Sequence, residues 1–317
     1  MRILVTGATG FIGTRLCQVL IEQGHRVIGL SRRGNGTVAG VDHRAKDFID
    51  TPSLQDCVDG MDCIVHLAGR AHVMDPRNDA PELYREVNHE ATVRLARLAL
   101  EAGVKRFVFV STIRVNGNAS EQQRFTEASA PQPVVAYDRS KLDAENGLRA
   151  LLDGTPTEWV IIRPPLVYGA EALGNFRTLL KVVEKGLPSP LAQVRNARSL
   201  ISVDNLANLI ALAIQHPDAA GQLFLASDGS DVSTHQILVA LAQGMQKRLW
   251  SIPVPPSLLA FLFRLIGKED TYTKLCGSLT VDSSKARDVL GFRPHNDTLA
   301  SLAQVGREYR ANRQSPR

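Results

Sequence analysis

Short apolar runs alternate with amphipathic stretches through the first half of the chain. Arg2–Thr6, Arg26–Leu30, Cys63–Ala68, Arg106–Ser111 and Trp159–Arg163 are rich in valine, isoleucine and phenylalanine. They lack the polar alternation of a half-exposed strand, so each reads as a strand buried on both faces. Between them, Glu82–Ala102 carries Leu83, Val87, Ala91, Leu95, Leu98 and Ala102 at steps of four, four, four, three and four, which sets them on one face of a helix. Strand–helix alternation of this kind builds a parallel sheet with helices on both sides. The expected fold class is therefore α/β, a Rossmann-type doubly wound parallel sheet with a smaller mixed α/β region after it.

That second region begins after about Pro164, where the periodicity becomes irregular and Gly169–Asn175, Gly186–Pro190 and Val254–Ser257 punctuate it with turn formers. Ser199–Val203 followed by Asp204–Gln215 still reads as strand and helix, so the chain is expected to return to the first sheet before leaving it again. The expected division assigns residues 1–165 to a dinucleotide-binding domain, with 199–228 returning to it. Residues 166–198 and 229–317 form the substrate-binding region. Near the end, Asp282-Ser-Ser-Lys285 leads into Ala286–Leu290 as a capped helix with Asp282 or Ser283 as the cap. Arg307–Arg317 reads as a frayed tail.

Composition narrows the functional classes. A chain of 317 residues, 44% apolar and 22% charged, can bury about three quarters of its unfolded surface in an ordinary globular fold. The longest apolar runs, such as Leu258–Phe263, stop at Arg264, well short of the ~20 residues of a membrane-crossing helix. Met1–Val5 enters a strand-like run without the basic flank, apolar stretch and cleavage site of a secretory signal, so membrane insertion is not expected and a cytoplasmic location is. The 37 Lys+Arg exceed the 32 Asp+Glu to give +5, but the basic residues are scattered and only 5% of residues are aromatic. That is a poor platform for nucleic acid, whereas a phosphate-bearing small molecule suits a positive cleft. Cys17, Cys57, Cys63 and Cys276 form no C-x-x-C pair and read as buried, reduced thiols; the eight histidines show no metal-ligand spacing, and no metal is expected.

Thr6-Gly7-Ala8-Thr9-Gly10-Phe11-Ile12-Gly13 follows the first strand and opens a helix. In that context Gly7 permits a tight turn, Gly10 lets the backbone approach a pyrophosphate, and Gly13 lets the helix pack on the sheet while its N-terminal N–H groups face the anion. The first gap is one residue longer than in the G-x-G-x-x-G form. At the end of the second strand, an acidic residue would accept from a ribose 2′-hydroxyl, whereas arginine accommodates a 2′-phosphate. Ser31-Arg32-Arg33 stands there, so NADP(H) is the expected dinucleotide, with NAD(H) as the alternative if both arginines are simply solvated.

Tyr137 and Lys141 lie four apart on an expected helix and share a face. A phenol titrates near 10 and serves as an acid or base at neutral pH only if a nearby cation favours phenolate. Ser111-Thr112 ends a central strand and brings hydroxyls to the carboxyl edge of the sheet, where ligands of such sheets bind.

Together these residues resemble the extended short-chain dehydrogenase/reductase superfamily, in its nucleotide-sugar epimerase/dehydratase branch, over nearly the whole chain. The matching segments are Thr6–Gly13, Asp47-Phe48, His66-Leu-Ala-Gly69, Asn88, Ser111-Thr112, Tyr137-Asp-Arg-Ser-Lys141, Arg163-Pro-Pro-Leu-Val-Tyr-Gly169 and Arg198–Asp204. The resemblance implies catalysis by Thr112, Tyr137 and Lys141. It implies cofactor contacts from Gly7, Thr9, Gly10, Phe11, Ile12, Gly13, Ser31, Arg32 and Arg33 on the phosphate and ribose side. Asp47 and Phe48 would lie at the adenine, and Leu67, Ala68, Gly69, Asn88, Ser111 and Pro164, with Tyr137 and Lys141, further along the cofactor. Asn175 and Arg198 would contact the sugar nucleotide at its pyrophosphate.

Two positions depart from the family pattern: Ala170 replaces a proline after Tyr-Gly, and Asn116 replaces a tyrosine before Gly117. Arg114, Asn116 and His72 are candidates for the sugar pocket or, equally, for loop support, and Gly117–Ala136 for a wall over it.

His66–Met74, Ile113–Gly117 and Val194–Leu200 are similar to the subgroup that forms UDP-N-acetylquinovosamine by 4-keto reduction. The leading expectation is therefore an NAD(P)H-dependent reductase of the 4-keto group of a UDP-linked 6-deoxy-amino sugar, serving cell-surface polysaccharide such as lipopolysaccharide O-antigen. One alternative is a UDP-sugar 4-epimerase of the UDP-glucose or UDP-N-acetylglucosamine type. Another is a non-catalytic dinucleotide-sensing regulatory protein. The resemblance also implies a homodimer through the Glu82–Ala102 and Tyr137-bearing helices.

Overall fold

The computed structural model describes residues 1–71, 80–120 and 123–314. The chain opens with β1 (Arg2–Thr6), α1 (Phe11–Glu22), β2 (Arg26–Ser31), β3 (Asp42–Ala45), α2 (Gln55–Val58) and β4 (Cys63–His66). It continues through α3 (Pro81–Tyr84), α4 (Ala91–Glu101), β5 (Arg106–Val110), α5 (Ala136–Leu152) and β6 (Glu158–Arg163). After these come β7 (Leu166–Tyr168), α6 (Gly174–Glu184), β8 (Leu200–Ser202), α7 (Val203–Gln215) and β9 (Gln222–Leu225). The last elements are α8 (Thr234–Met245), α9 (Pro256–Leu265), α10 (Glu269–Cys276), α11 (Ser284–Leu290) and α12 (Thr298–Gln314).

Among the described residues, seven strands form one sheet in the order β3-β2-β1-β4-β5-β6-β9, with every neighbour parallel. Strand side chains alternate between faces, and the runs are apolar at both parities because both faces are covered. Ile3, Val5, Val65, Val108 and Val160 pack with α1 and α7, while Leu4, Ile64, Phe107, Phe109 and Ile161 pack with α4 and α5. From β1 the chain winds outward to β2 and β3, then crosses to β4 and proceeds the other way. Adjacent strands leaving in opposite directions open a crevice at the carboxyl ends of β1 and β4, where ligands of doubly wound sheets bind. A third core, built around Tyr168, Phe176, Leu180, Leu238, Leu241 and Leu302, underlies the smaller region.

Some expectations are corrected. The strand expected over Ser199–Val203 is β8, which pairs with β7 in a separate two-stranded sheet; β9 is the later strand that joins the main sheet, beside β6. The helix expected over Glu82–Ala102 contains a π turn at Arg85–Glu90 between α3 and α4. The tail expected at Arg307–Arg317 is helical as far as Gln314. Burial explains this: Tyr309 is buried and donates to Glu184 Oε2 at 2.9 Å, Arg313 Nε donates to Glu184 Oε1 at 3.0 Å, and Arg310 Nη1 reaches Met245 O at 3.2 Å.

Ser283 occupies the N-cap position of α11, and Asp282 Oδ1 accepts from Ser284 N–H at 2.9 Å. All four cysteines are free thiols; Cys276 is only half-buried, while burial pushes Cys17 and Cys63 up to about 12. Among the described residues no helix is long and apolar enough to cross a membrane.

Candidate active site

The glycine loop is shaped by contacts that leave no room for side chains. A Cβ on Gly13 would lie 2.1 Å from Gly7 O, and one on Gly7, at φ +70°, 3.0 Å from Ala68 N. Gly10 N–H closes the turn on Gly7 O at 2.9 Å, and Thr14 N–H bonds back to Gly10 O to start α1. The first N–H groups of a helix have no partner within it. Thr9 and Gly10 are exposed at this end, so the loop and helix terminus form a backbone cradle open to an anion, as a dinucleotide pyrophosphate requires. Phe11 and Ile12 are half-buried, and Phe11 packs on Gly169, where an added Cβ would meet its ring at 2.8 Å.

Along the crevice, Ser31 Oγ accepts from Gly34 N–H at 3.0 Å, while Arg32 and Arg33 stand exposed in the turn after β2. Asp47 Oδ1 accepts from Ile49 N–H at 3.2 Å. Phe48 meets the His66 ring edge-on at 5.1 Å.

His66 is fully buried at the end of β4 and sits in a hydrogen-bond chain whose direction can be deduced. Thr92 Oγ1 donates to Asn88 O at 2.7 Å, so it accepts from His66 Nε2 at 2.9 Å. With Nε2 carrying the proton, Nδ1 accepts from Thr6 Oγ1 at 2.7 Å, and Thr6 Oγ1 accepts from Ala68 N–H at 3.2 Å. Asn88 carries the order onward: Oδ1 accepts from Arg70 N–H at 2.6 Å, and Nδ2 donates to Arg70 O and to Ser140 Oγ, both at 3.0 Å. Ser140 Oγ in turn donates to Tyr137 O at 2.7 Å. The strip Leu67-Ala68-Gly69 is thereby fixed between β1, the π turn and α5. The π turn brings Asn88 inward at this point, consistent with such turns marking functional positions.

Burial, with the Lys141 charge adding to it, lowers the His66 ring to about 3 from an ordinary 6.5. The folded state keeps the ring neutral while the unfolded chain protonates it between those values. Its contribution is complete above pH 6.5 and is lost as pH falls toward 3, to a limit of ~5 kcal/mol. In urea titrations between pH 7 and pH 4, wild type is expected to lose more stability than His66→Gln. Equal losses would assign the acid sensitivity elsewhere.

Thr112 and Lys141 lie at the end of β5, Lys141 beside Gly69, with Tyr137 one turn before Lys141 on α5. Thr112 is buried just after β5, and its hydroxyl accepts from Arg114 N–H at 3.3 Å while acting as a hydrogen-bond partner to the phenol of Tyr137. Lys141 is buried one turn along α5, donates to Val110 O at 3.0 Å and lies 4.4 Å from the Phe109 ring centroid. Its Nζ is 3.5 Å from the point where a Cβ on Gly69 would stand, so glycine there keeps the ammonium in contact with the crevice wall. Burial lowers Lys141 to about 8, opposed by Glu145, and desolvation raises the half-buried Tyr137 to about 12, opposed by Arg114 and Thr112. The resting phenol is therefore a protonated acid with the Thr112 hydroxyl and the Arg114 guanidinium beside it.

The expected substrate residues fall into separate groups. Arg114 pairs with the buried Asp138, Nε to Oδ1 at 2.9 Å, and its guanidinium sits 5.9 Å from the Tyr137 ring centroid. Asn116 is 1% exposed, with its carboxamide occupied by Arg163 Nη1 at 2.9 Å and Ser129 O at 3.0 Å, so it braces the loop. Asn175 is exposed in the first turn of α6. Arg198 is half-buried, donates to Gly277 O at 2.8 Å, and is shifted down by desolvation alone, with no opposing carboxylate among the described residues. His72 lies outside the described residues.

Within Gly117–Ala136, Arg124 pairs with Asp231 at 2.8 Å and Glu127 Oε1 accepts from Leu225 N–H of β9 at 2.9 Å, tying the segment to both the smaller region and the edge of the main sheet. Pro164 is buried and its carbonyl accepts from Ile113 N–H at 2.9 Å.

Glu145 and Arg163 were not foreseen as a pair. Glu145 is fully buried on α5 and accepts from Ser111 Oγ, Arg163 Nε and Arg163 Nη2 at 2.5, 2.9 and 2.5 Å. The available signal was its place four residues after Lys141, on the helix face that carries Tyr137 and Lys141. Ser111, expected at the cofactor, has its hydroxyl committed to this carboxylate.

The model of the NAD dependent epimerase/dehydratase family matches residues 3–225. A Vibrio cholerae protein named UDP-glucose 4-epimerase is 40% identical over 311 residues, covering 97% of this chain and 95% of the relative. An Escherichia coli O157:H7 protein named as an N-acetyl-alpha-D-glucosaminyl-diphospho-ditrans,octacis-undecaprenol 4-epimerase is 26% identical, covering 89% of this chain and 88% of the relative. The solved structure of a Bacillus cereus UDP-glucuronic acid 4-epimerase in complex with NAD has a TM-score of 0.80 at 20% identity, covers 99% of this chain and 100% of that one, and shares its fold. With the family model covering well over half its length, this chain belongs to the NAD dependent epimerase/dehydratase family.

Proposed function

We propose that the protein reduces the 4-keto group of a UDP-linked 6-deoxy-amino sugar using NAD(P)H. The observation that carries this reading is that Thr112 partners the Tyr137 phenol while Lys141, one turn along the same helix, is buried at the end of β5 beside Gly69. The bound dinucleotide would supply the hydride that C4 receives. Tyr137 would give its phenolic proton to O4, so the carbonyl becomes a secondary alcohol and the phenol a phenolate. Thr112 would hydrogen-bond the same oxygen. Lys141 would stabilise the phenolate until solvent restores its proton.

Burial raises the phenol to about 12, so it begins protonated but further from neutral pH than a general acid is best placed, and the charge around it in the loaded site would have to bring it down. Arg198, partly desolvated and without a carboxylate partner among the described residues, suits a diphosphate. The same reading includes a homodimer through α4 and α5 and a role in cell-surface polysaccharide precursor synthesis.

Epimerisation at C4 of a UDP-sugar is the second reading, favoured by the name of the 40%-identical Vibrio cholerae relative. It uses the same three side chains in both directions. Incubation with UDP-4-keto-6-deoxy-N-acetylglucosamine and NADPH, beside UDP-glucose alone, separates the two. Stoichiometric NADPH consumption with the keto sugar supports reduction, and UDP-galactose from UDP-glucose without net reduction supports epimerisation.

Net reduction needs a dinucleotide that exchanges each turnover, and the exposed Arg32 and Arg33 favour NADPH in that role. Arg32→Ala with Arg33→Ala is expected to weaken NADPH by at least about tenfold, the scale of a lost charge-assisted contact, and to leave NADH nearly unchanged. Equal weakening of both dinucleotides in a fluorescence titration would remove the 2′-phosphate contact.

A further inference from the structure

The apolar run Leu258–Phe263 is used by nothing in the site. It belongs to α9, a ten-residue helix that turns its apolar stripe outward. Leu258, Phe261, Leu262 and Leu265 follow one another at the spacing of a single helix face, and all are exposed, Phe261 at 56% and Leu265 at 67%. Surface helices of globular proteins bury such a stripe.

The opposite side of α9 is already engaged. Leu259 enters the third core at 3% exposure, Phe263 meets Tyr272 of α10 at 6.1 Å, and the Tyr272 hydroxyl donates to Pro256 O at 3.3 Å. Rolling the helix to hide the stripe would break these contacts. The segment leading into it adds Trp250, 62% exposed, with the Arg248 guanidinium 5.5 Å from its ring centroid.

Charge selects the occupant. Between residues 247 and 274 there are five lysines and arginines against two acidic residues; Arg248, Arg264 and Lys268 are exposed, Arg264 in a solvent-exposed pair with Glu269 at 3.6 Å. A protein interface depletes lysine at its core and needs ~800 Å² per partner for a stable dimer, more than one stripe of a short helix offers. An exposed apolar stripe with an exposed tryptophan and several cations in the same segment is instead the composition of a helix lying in a lipid headgroup layer.

We propose that α9 docks the protein reversibly onto an anionic phospholipid surface. The stripe enters the boundary between headgroups and acyl chains while Arg248, Arg264 and Lys268 face lipid phosphates. Ten residues are far too few to span the layer, so the helix lies in its plane.

The test is flotation of the full chain with phosphatidylcholine vesicles with and without phosphatidylglycerol. Wild type is expected to float with the anionic vesicles and to be released by high salt. Phe261→Glu with Leu265→Glu is expected to lower the floated fraction at least about tenfold, with thermal midpoint and turnover of a soluble substrate unchanged. Arg264→Glu with Lys268→Glu is expected to abolish the preference for phosphatidylglycerol. The proposal fails if wild type stays with the unbound protein, or if both variants float as wild type does. It also fails if the apolar variant changes only the oligomeric mass by light scattering, which would make this face a contact between copies. None of these readouts depends on which sugar is turned over.

Discussion

Replacing Tyr137 by phenylalanine is expected to lower turnover by ~10²-fold or more, the usual scale for removing a general acid, and to leave dinucleotide affinity within a few-fold of wild type. The split follows from what each part of the side chain contacts. The ring meets Tyr84 edge-on at 6.2 Å and lies beneath the Arg114 guanidinium, contacts that phenylalanine retains. The glycine cradle belongs to other elements: it is shaped by Gly7, Gly13 and the Ala68 backbone, which the substitution does not touch. Only the oxygen is lost, and with it the proposed proton donor and the hydrogen bond with Thr112. A fluorescence titration of dinucleotide beside a steady-state assay checks both halves. Undiminished turnover would take the phenol out of the mechanism, and a parallel loss of binding and turnover would make its role structural.

How much of this was legible in the sequence depends on the distance over which each feature is encoded. The glycine loop and the Tyr137–Lys141 spacing lie within a few residues, where backbone geometry alone sets their placement, and β1, β2, β4, β5 and β6 appear within two residues or so of their apolar runs. Features joining separated segments were not readable. The chain from Thr6 through His66 and Thr92 to Asn88 links β1, β4 and the helix after it, and no local rule pairs a strand-end histidine with a threonine 26 residues on.

The π turn left a trace: the apolar positions from Leu83 to Ala102 advance 19 residues in five steps, wider than the 3.6 residues per turn of an α-helix. The C-terminal helix was misread because its mean polarity resembles a solvated tail. Its order comes from Tyr309 and Arg313 reaching Glu184, 125 and 129 residues away. Asn116, read equally as a pocket residue or a loop support, braces the loop through Arg163, a partner 47 residues distant.

That same arginine belongs to the pair with the largest expected effect on stability. Glu145→Ala should destabilise the fold by ~3–5 kcal/mol, because it strands a buried guanidinium without its counter-charge. The carboxylate joins α5 to the ends of β5 and β6 through Ser111 and Arg163, and through Arg163 to Asn116. If the cost is the uncompensated charge, Glu145→Leu combined with Arg163→Met should be much less damaging than the two single losses added together; additive losses in urea denaturation would contradict this.

Glu145→Gln separates a second role, since it keeps an oxygen for Ser111 but removes the charge that holds Lys141 up against burial. Wild-type turnover is expected to fall as pH rises through about 8, where Lys141 gives up its proton and a neutral amine no longer supports phenolate. Without the Glu145 charge the ammonium is lost at lower pH, so the alkaline limb of the pH profile should move toward acid. A limb that stays in place while stability drops would confine Glu145 to bracing the scaffold, whereas its displacement ties the buried ion pair to the proposed proton-transfer group Lys141 one helical turn away.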